Sequence, residues 1–318
     1  MFKRFTRSKT FPLILVLILV SVLFTLIKPI FISGGNLVNI ANSATVSGII
    51  MVGIICLLIS GNMDLSTSSV AIFSSVVMAY ASSAGAPWPL ALLAGLGTGA
   101  CCGAINAFLA YGCGIFPFIG TLAMGSVWSG LCNLITNAQS ISFTDDTLWW
   151  LGNGTVLGIP AGYLLMVLLL VIYGLILSKT MFGRTIYMLG GNRQAARLAG
   201  LSIKKTGTIL MINCGCMSAL AGCVLACRMH NAIPATTLPM DAITSAVLGG
   251  VAFGGGAGST LGGFFGLMLL TTFTNGLQVV GLDAYWRTVA SGVLLVLALT
   301  LDYFNNKNIA RQLETRAA

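Results

Sequence analysis

Long apolar stretches follow one another along this chain, and the polar breaks between them are short. A bilayer core is about 30 Å thick, so a helix needs about 20 mainly apolar residues to cross it. About ten such stretches can be read, near 11–32, 41–60, 66–84, 88–110, 115–136, 160–178, 207–227, 242–256, 260–280 and 286–304. The second, third and eighth are interrupted by polar residues or glycine. In lipid every backbone N–H and C=O must bond within the protein, which favours helices. The expected fold class is therefore all-α, a polytopic helical membrane protein with about ten transmembrane spans.

Composition closes off the alternatives. Of 318 residues, 57% are hydrophobic and only 7% are charged, against about 25% charged in a soluble domain. A surface so poor in charge cannot keep a soluble chain of this size dispersed, and disorder needs the opposite balance. A cytosolic enzyme, a secreted domain and a nucleic-acid binder are thus excluded as main readings.

The net charge of +9 matters less than its placement. Lys3, Arg4, Arg7 and Lys9 precede the first apolar stretch. Lys179, Arg184, Arg193, Arg197, Lys204 and Lys205 share one central segment, and Lys307, Arg311 and Arg316 lie in the tail. Only Lys28, Arg228 and Arg287 fall elsewhere. Basic residues favour the cytoplasmic side. An even number of spans puts all three clusters there, with both termini cytoplasmic and residues 137–159 outside. Those outer residues hold no Lys or Arg but carry Asp145, Asp146, Trp149 and Trp150. The first stretch is too long for a typical signal-peptide core and is expected to be an uncleaved anchor. One membrane domain, 1–318, is expected: a first half 11–178, a cytoplasmic loop 179–206, a second half 207–304 and a cytoplasmic tail 305–318.

Glycines recur at spacing four, at Gly95, Gly99 and Gly103 and again from Gly250 through Gly254, Gly258 and Gly262 to Gly266. Both sets are read as close helix–helix contacts. The cysteines, mostly inside apolar stretches, are read as small hydrophobes, and no metal site is expected.

Three segments carry candidate chemistry. In the central loop, Asn192 can cap a short helix that Gly200 ends in a left-handed turn. Ala195, Ala196 and Ala199 would give it a smooth face, with Arg193 and Arg197 one turn apart. Such a helix suits a groove on a cytoplasmic partner, or equally an anionic lipid surface. In the second segment, Asn62, Asp64 and Ser66 follow the second span. Asp64 is read either as a cap for the next helix or as part of a gate. Third, polar residues within spans, Asn42, Ser43, Asn106, Ser245, Asn275 and Gln278, are candidates for a solute path or for interhelical hydrogen bonds.

The segment Met188-Leu-Gly-Gly-Asn-Arg-Gln-Ala-Ala-Arg-Leu-Ala-Gly-Leu201 resembles the A-x-G-G-N-x-x-A-A-R-L-S-G-I coupling segment of ribose-type monosaccharide ABC importer permeases. Three further blocks are similar, in order. Gly61-Asn-Met-Asp-Leu-Ser66 resembles G-G-I-D-L-S, and Asp241-Ala-Ile-Thr-Ser-Ala-Val-Leu-Gly-Gly250 resembles D-A-I-A-A-V-V-I-G-G. Asn275-Gly-Leu-Gln-Val-Val-Gly281 resembles N-G-L-x-L-L-G. Asn62 departs from the family's second glycine, and Thr67-Ser68 from its usual Val-Gly.

The resemblance implies a ten-span permease working as a homo- or heterodimer in the bacterial inner membrane. Its partners would be a cytoplasmic ABC ATPase and an extracytoplasmic solute-binding protein. Gly190, Gly191, Asn192, Arg193, Ala195, Ala196, Arg197 and Gly200 would be the ATPase-coupling residues. The chain would bind no cofactor, ATP and Mg being used by the partner ATPase. No G-x-x-x-x-G-K-[ST] motif is present, and with one His a proton relay is poorly equipped. The chain is therefore read as a transport subunit for a monosaccharide or similar neutral solute, not an enzyme. Branched-chain amino acid or nucleoside permeases, or an ion-coupled carrier, are the alternatives.

Overall fold

The computed structural model describes residues 11–234 and 241–300, except 287, 295, 298 and 299. The N-terminal and C-terminal basic clusters lie outside the described residues. Helix α1 (Phe11–Ile27) leads through a 3-10 turn at Pro29–Ile32 into α2 (Gly34–Ile59). There follow α3 (Thr67–Ser83), α4 (Trp88–Ala107) with a π-helical extension Phe108–Gly112, and α5 (Pro117–Thr136). Strand β1 (Ile141–Ser142), α6 (Asp146–Asn153) and the β2–β3 hairpin (Thr155–Val156, Ile159–Pro160) connect to α7 (Ala161–Lys179). Then come α8 (Met181–Gly191), α9 (Arg193–Leu198), α10 (Ile203–Met229), β4 (Asn231–Ala232), α11 (Asp241–Leu248) and α12 (Thr260–Val280).

Six of these helices are long and apolar enough to cross a membrane, and α1 and α3 are shorter apolar helices. The chain is an all-α, multi-pass membrane protein. Its burial pattern is that of a bundle in lipid. Helix α2 is hydrophobic on every side and buried over its second half, from Gly48 to Ile59. Helix α10 packs on α2, α3 and α4. Helices α5 and α7 keep mostly exposed apolar faces, which is the surface a bilayer wets.

The eighth expected span, 242–256, is not a helix of that length. Helix α11 stops at Leu248, and residues 249–259 form an irregular segment. Gly250, Gly255, Gly256 and Gly258 have φ of +80°, +89°, +77° and +148°. These are conformations glycine adopts at little steric cost and that no helix contains. The spacing-four glycines from 250 therefore do not form one packing stripe. Only Gly262 and Gly266 lie on a helix, α12, where they let its backbone approach Ser245 of α11 and Gly249 just beyond it. The other glycine set behaves as expected. A Cβ on Gly95, Gly99 or Gly103 would collide with Cys223, with Ala219 and Gly215, or with Met211 and Ile212, all on α10.

The central loop is also more ordered than its sequence suggests. Helix α8 precedes the expected short helix. Thr180 caps it, its Oγ1 accepting the Gly183 N–H at 3.0 Å, and Gly183, Ile186 and Leu189 turn inward at helical spacing.

Candidate coupling site and solute path

One end of the bundle is a knot of backbone contacts. The Gly256 N–H donates to Ile59 O, the last carbonyl of α2, at 2.8 Å. Gly190, near the end of α8, sits so close that a Cβ would lie 1.8 Å from Ile59 O and 2.4 Å from the Gly256 nitrogen. Gly255 presses on Gly61 and Gly190, and Tyr187 donates its hydroxyl to Gly258 O at 2.8 Å. No Cβ fits at Gly190 or Gly255, so α2, α8 and the 249–259 segment meet there backbone to backbone.

Helix α9 projects from this knot. Asn192 Oδ1 accepts the Ala195 N–H at 2.9 Å, and Gly200, at φ +78°, turns the chain toward α10. Of the residues expected to meet an ATPase, Gly191, Asn192, Arg193, Ala195, Arg197 and Gly200 are exposed, whereas Ala196 is buried at 1%. Gly190 belongs to the knot. The largest apolar group on this helix is Leu198, 90% exposed. Nothing in the sequence separates Leu198 from the other apolar residues of the loop, such as Ile186, Leu189 and Leu201, and only the helix phase turns it out while Ala196 turns in.

Arg193 is exposed, but one end of its guanidinium turns back onto the chain. Its Nη2 donates to Gly61 O at 2.9 Å and to Asn62 Oδ1 at 2.8 Å. Asn62 is held in turn by its Nδ2, which donates to Ser60 Oγ at 2.9 Å. In the same turn between α2 and α3, Asp64 is 2% exposed. Its Oδ1 accepts the Ser66 N–H (2.8 Å) and hydroxyl (2.6 Å), and Oδ2 accepts from Asn106 Nδ2 on α4 (3.2 Å). Asn106 Nδ2 also donates to Ser66 Oγ at 2.8 Å. Burial pushes the Asp64 carboxyl above its usual range, partly offset by the bonds from Ser66 and Asn106. Asp64 thus organises the foot of α3 through Ser66 and ties it to α4.

The polar residues read as path candidates fall in separate places. Asn275 of α12 pairs with Asn36 of α2, each amide donating to the other, at 2.9 and 3.1 Å. Arg228 Nη1 donates to Asn42 O at 2.7 Å, Ser43 is exposed, and Gln278 is exposed on α12. Ser245 is fully buried, and its hydroxyl and Asn106 Oδ1 have no hydrogen-bond partner among the described residues. A small cavity lies where the first turns of α3 and α11 face the middle of α2, lined by Ile50, Ile54, Leu65, Thr67, Ser68, Ala242 and Ile243. Thr67 and Ser68, read in the sequence only as departures from a family block, line it.

At the opposite end, β1 and β4 pair antiparallel, Ile141 opposite Ala232 and Ser142 opposite Asn231. Helix α6, capped by Asp145, lies against the end of α10. Gly152 allows that approach, since a Cβ there would lie 2.3 Å from the Arg228 nitrogen. Trp149 and Trp150 are half-exposed above it, and Trp149 packs on His230 with ring centroids 6.2 Å apart.

A multi-pass bundle with a capped helix projecting from one end and buried polar side chains within it is what a membrane permease component requires. The family described as "Branched-chain amino acid transport system / permease component" matches residues 36–299, and the chain belongs to it. It is 33% identical over 290 residues to the ribose import permease protein of Bacillus subtilis (strain 168), covering 90% of each chain. To the ribose import permease protein of Escherichia coli (strain K12) it is 32% identical, over 91% of this chain and 92% of the relative. The L-arabinose transport system permease protein of Escherichia coli (strain K12) is 32% identical, over 92% and 90%. No solved structure matches significantly.

Proposed function

We propose that this chain is the membrane-spanning subunit of an ATP-binding-cassette importer for a monosaccharide. The observation that carries this reading is the capped helix α9, with exposed Leu198, on a chain whose relatives are named as ribose and arabinose permeases. Those names favour a sugar over a branched-chain amino acid, a nucleoside or an ion-coupled carrier. Ten crossings of the bacterial inner membrane fit the reading, the eighth made by α11 together with the irregular segment 249–259. Both termini and the α8–α9 end are then cytoplasmic.

ATP binding and hydrolysis, with Mg, belong to a partner ATPase that receives α9 between its subunits. Its closure moves α9 and, through the knot at Ile59, Gly190 and Gly256, the feet of α2 and α11. An extracytoplasmic solute-binding protein docks on the α6 and β1–β4 end, where Trp149 and Trp150 offer contact. A second permease copy completes the path. The small cavity between α3 and α11 lies on that path. Broken helices leave backbone groups free to bond a polar solute at mid-membrane. Among the described residues no basic side chain lines the cavity, which suits a neutral solute.

The test is uptake into liposomes of the chain reconstituted with its ATPase and binding protein. Labelled ribose or arabinose is expected to accumulate only with ATP, and to be indifferent to a protonophore. Accumulation by the chain alone, driven by an ion gradient, would overturn the proposal.

A further inference from the structure

Arg193 occupies the first turn of a helix otherwise suited to meeting a partner, yet its guanidinium turns back onto the chain. One nitrogen holds both the Gly61 carbonyl and the Asn62 side chain. The receiving turn is itself rigid. Gly61 has φ +73°, Asn62 N–H donates to Leu57 O at 3.0 Å, and the Asn62 amide is fixed on Ser60. Beyond the turn, Asp64 ties Ser66 at the foot of α3 to Asn106 on α4. Side-chain contact therefore reaches from α9 to Asn62, and the two peptide steps through Met63 carry it on to Asp64 at the foot of α3, beside the cavity lined by Thr67 and Ser68. Where the family block has glycine, position 62 has no acceptor side chain. Asn62 supplies this chain with a contact that a glycine could not make.

We propose that Arg193 and Asn62 form a latch that transmits the movement of α9 to the α2–α3 turn, and that Arg193 is a positioning residue rather than an ATPase-docking one. A charge-assisted bond to a fixed amide gives this contact direction as well as strength. The proposal rests on the importer reading above. A latch that transmits movement makes the two residues energetically coupled, which spatial continuity alone does not.

The experiment uses the complete importer in nanodiscs, with sugar-loaded binding protein, comparing Asn62→Gly, Arg193→Gln, the double variant and Asn62→Asp. The readout is the ratio of ATPase rates with and without loaded binding protein, alongside retention of the ATPase during purification. Each disruptive single variant is expected to lower the ratio by about fivefold or more while the ATPase stays bound. The double variant should be no worse than Arg193→Gln, and Asn62→Asp, which restores an acceptor, should keep the ratio. An unchanged ratio in Asn62→Gly, additive losses in the double variant, or loss of the ATPase from Arg193→Gln would each overturn the latch. Failure of the wild-type assembly to couple ATP to uptake would sink the importer reading instead.

Discussion

Asp64 shows how one residue changes meaning between sequence and structure. As the sole acid before Asp145 it reads as a cap or a gate. In the fold its carboxyl is buried and accepts three bonds, from the Ser66 backbone, the Ser66 hydroxyl and Asn106. Burial raises its pKa, and these bonds only partly offset it. A raised acid pKa means that the folded state disfavours the charged form. The resulting penalty is absent below the unfolded value of about 3.9 and complete above the folded one. The protein should therefore gain stability as pH falls from neutral through the folded pKa. Asp64→Asn, which cannot take up the proton, should lack that part of the pH dependence. Melting temperatures in detergent from about pH 4 to pH 8 check this, and parallel curves for the two proteins would contradict it. Position 64 was legible as special because a charge beside a membrane segment is costly. Its partner Asn106, distant in sequence, was not.

Between elements, glycine spacing is informative only where a helix continues. Gly99 on α4 meets Gly215 O and Ala219 of α10 at distances that no Cβ tolerates, whereas Gly97 on the same helix faces open space. Gly99→Leu is expected to cost about 1–3 kcal/mol by forcing the helices apart, and Gly97→Leu next to nothing. Thermal unfolding in detergent separates the two, and equal losses would remove α4–α10 contact as the explanation. The second glycine series shows the limit of the pattern. At 250 and 258 the same spacing lies in turns with positive φ, and Gly250 ends α11 in a left-handed turn in which the Val251 N–H bonds back to Ala246 O. Likewise α8 was read as loop. Its inward residues Gly183, Ile186 and Leu189 have helical spacing, but only its neighbours give that stripe something to cover.

For the whole molecule, the basic clusters predict which end faces the cytoplasm, and the fold supplies positions to test it. Leu157, in the β2–β3 hairpin, is 98% exposed, and Leu198 on α9 is 90% exposed, at opposite ends of the bundle. In intact cells, Leu157→Cys is expected to react with a membrane-impermeant maleimide and Leu198→Cys only after permeabilisation. Labelling is measured above that of the unsubstituted chain, which carries nine cysteines of its own. The reverse pattern would invert the topology.

By itself the sequence determined the class of this protein. Apolar length, scarcity of charge and the grouping of Lys and Arg are imposed by the bilayer, and a solvent acts on every residue independently of its partners. The capped helix at Asn192 was equally legible, because capping is a contact between residues three apart. Only the tertiary structure decided that the eighth apolar stretch breaks at Gly249, that Ala196 turns inward while Leu198 turns out, and that Arg193 reaches back to Asn62. Each of these depends on which backbone lies within a few ångströms of another distant in sequence, and spacing along one chain carries no record of that distance.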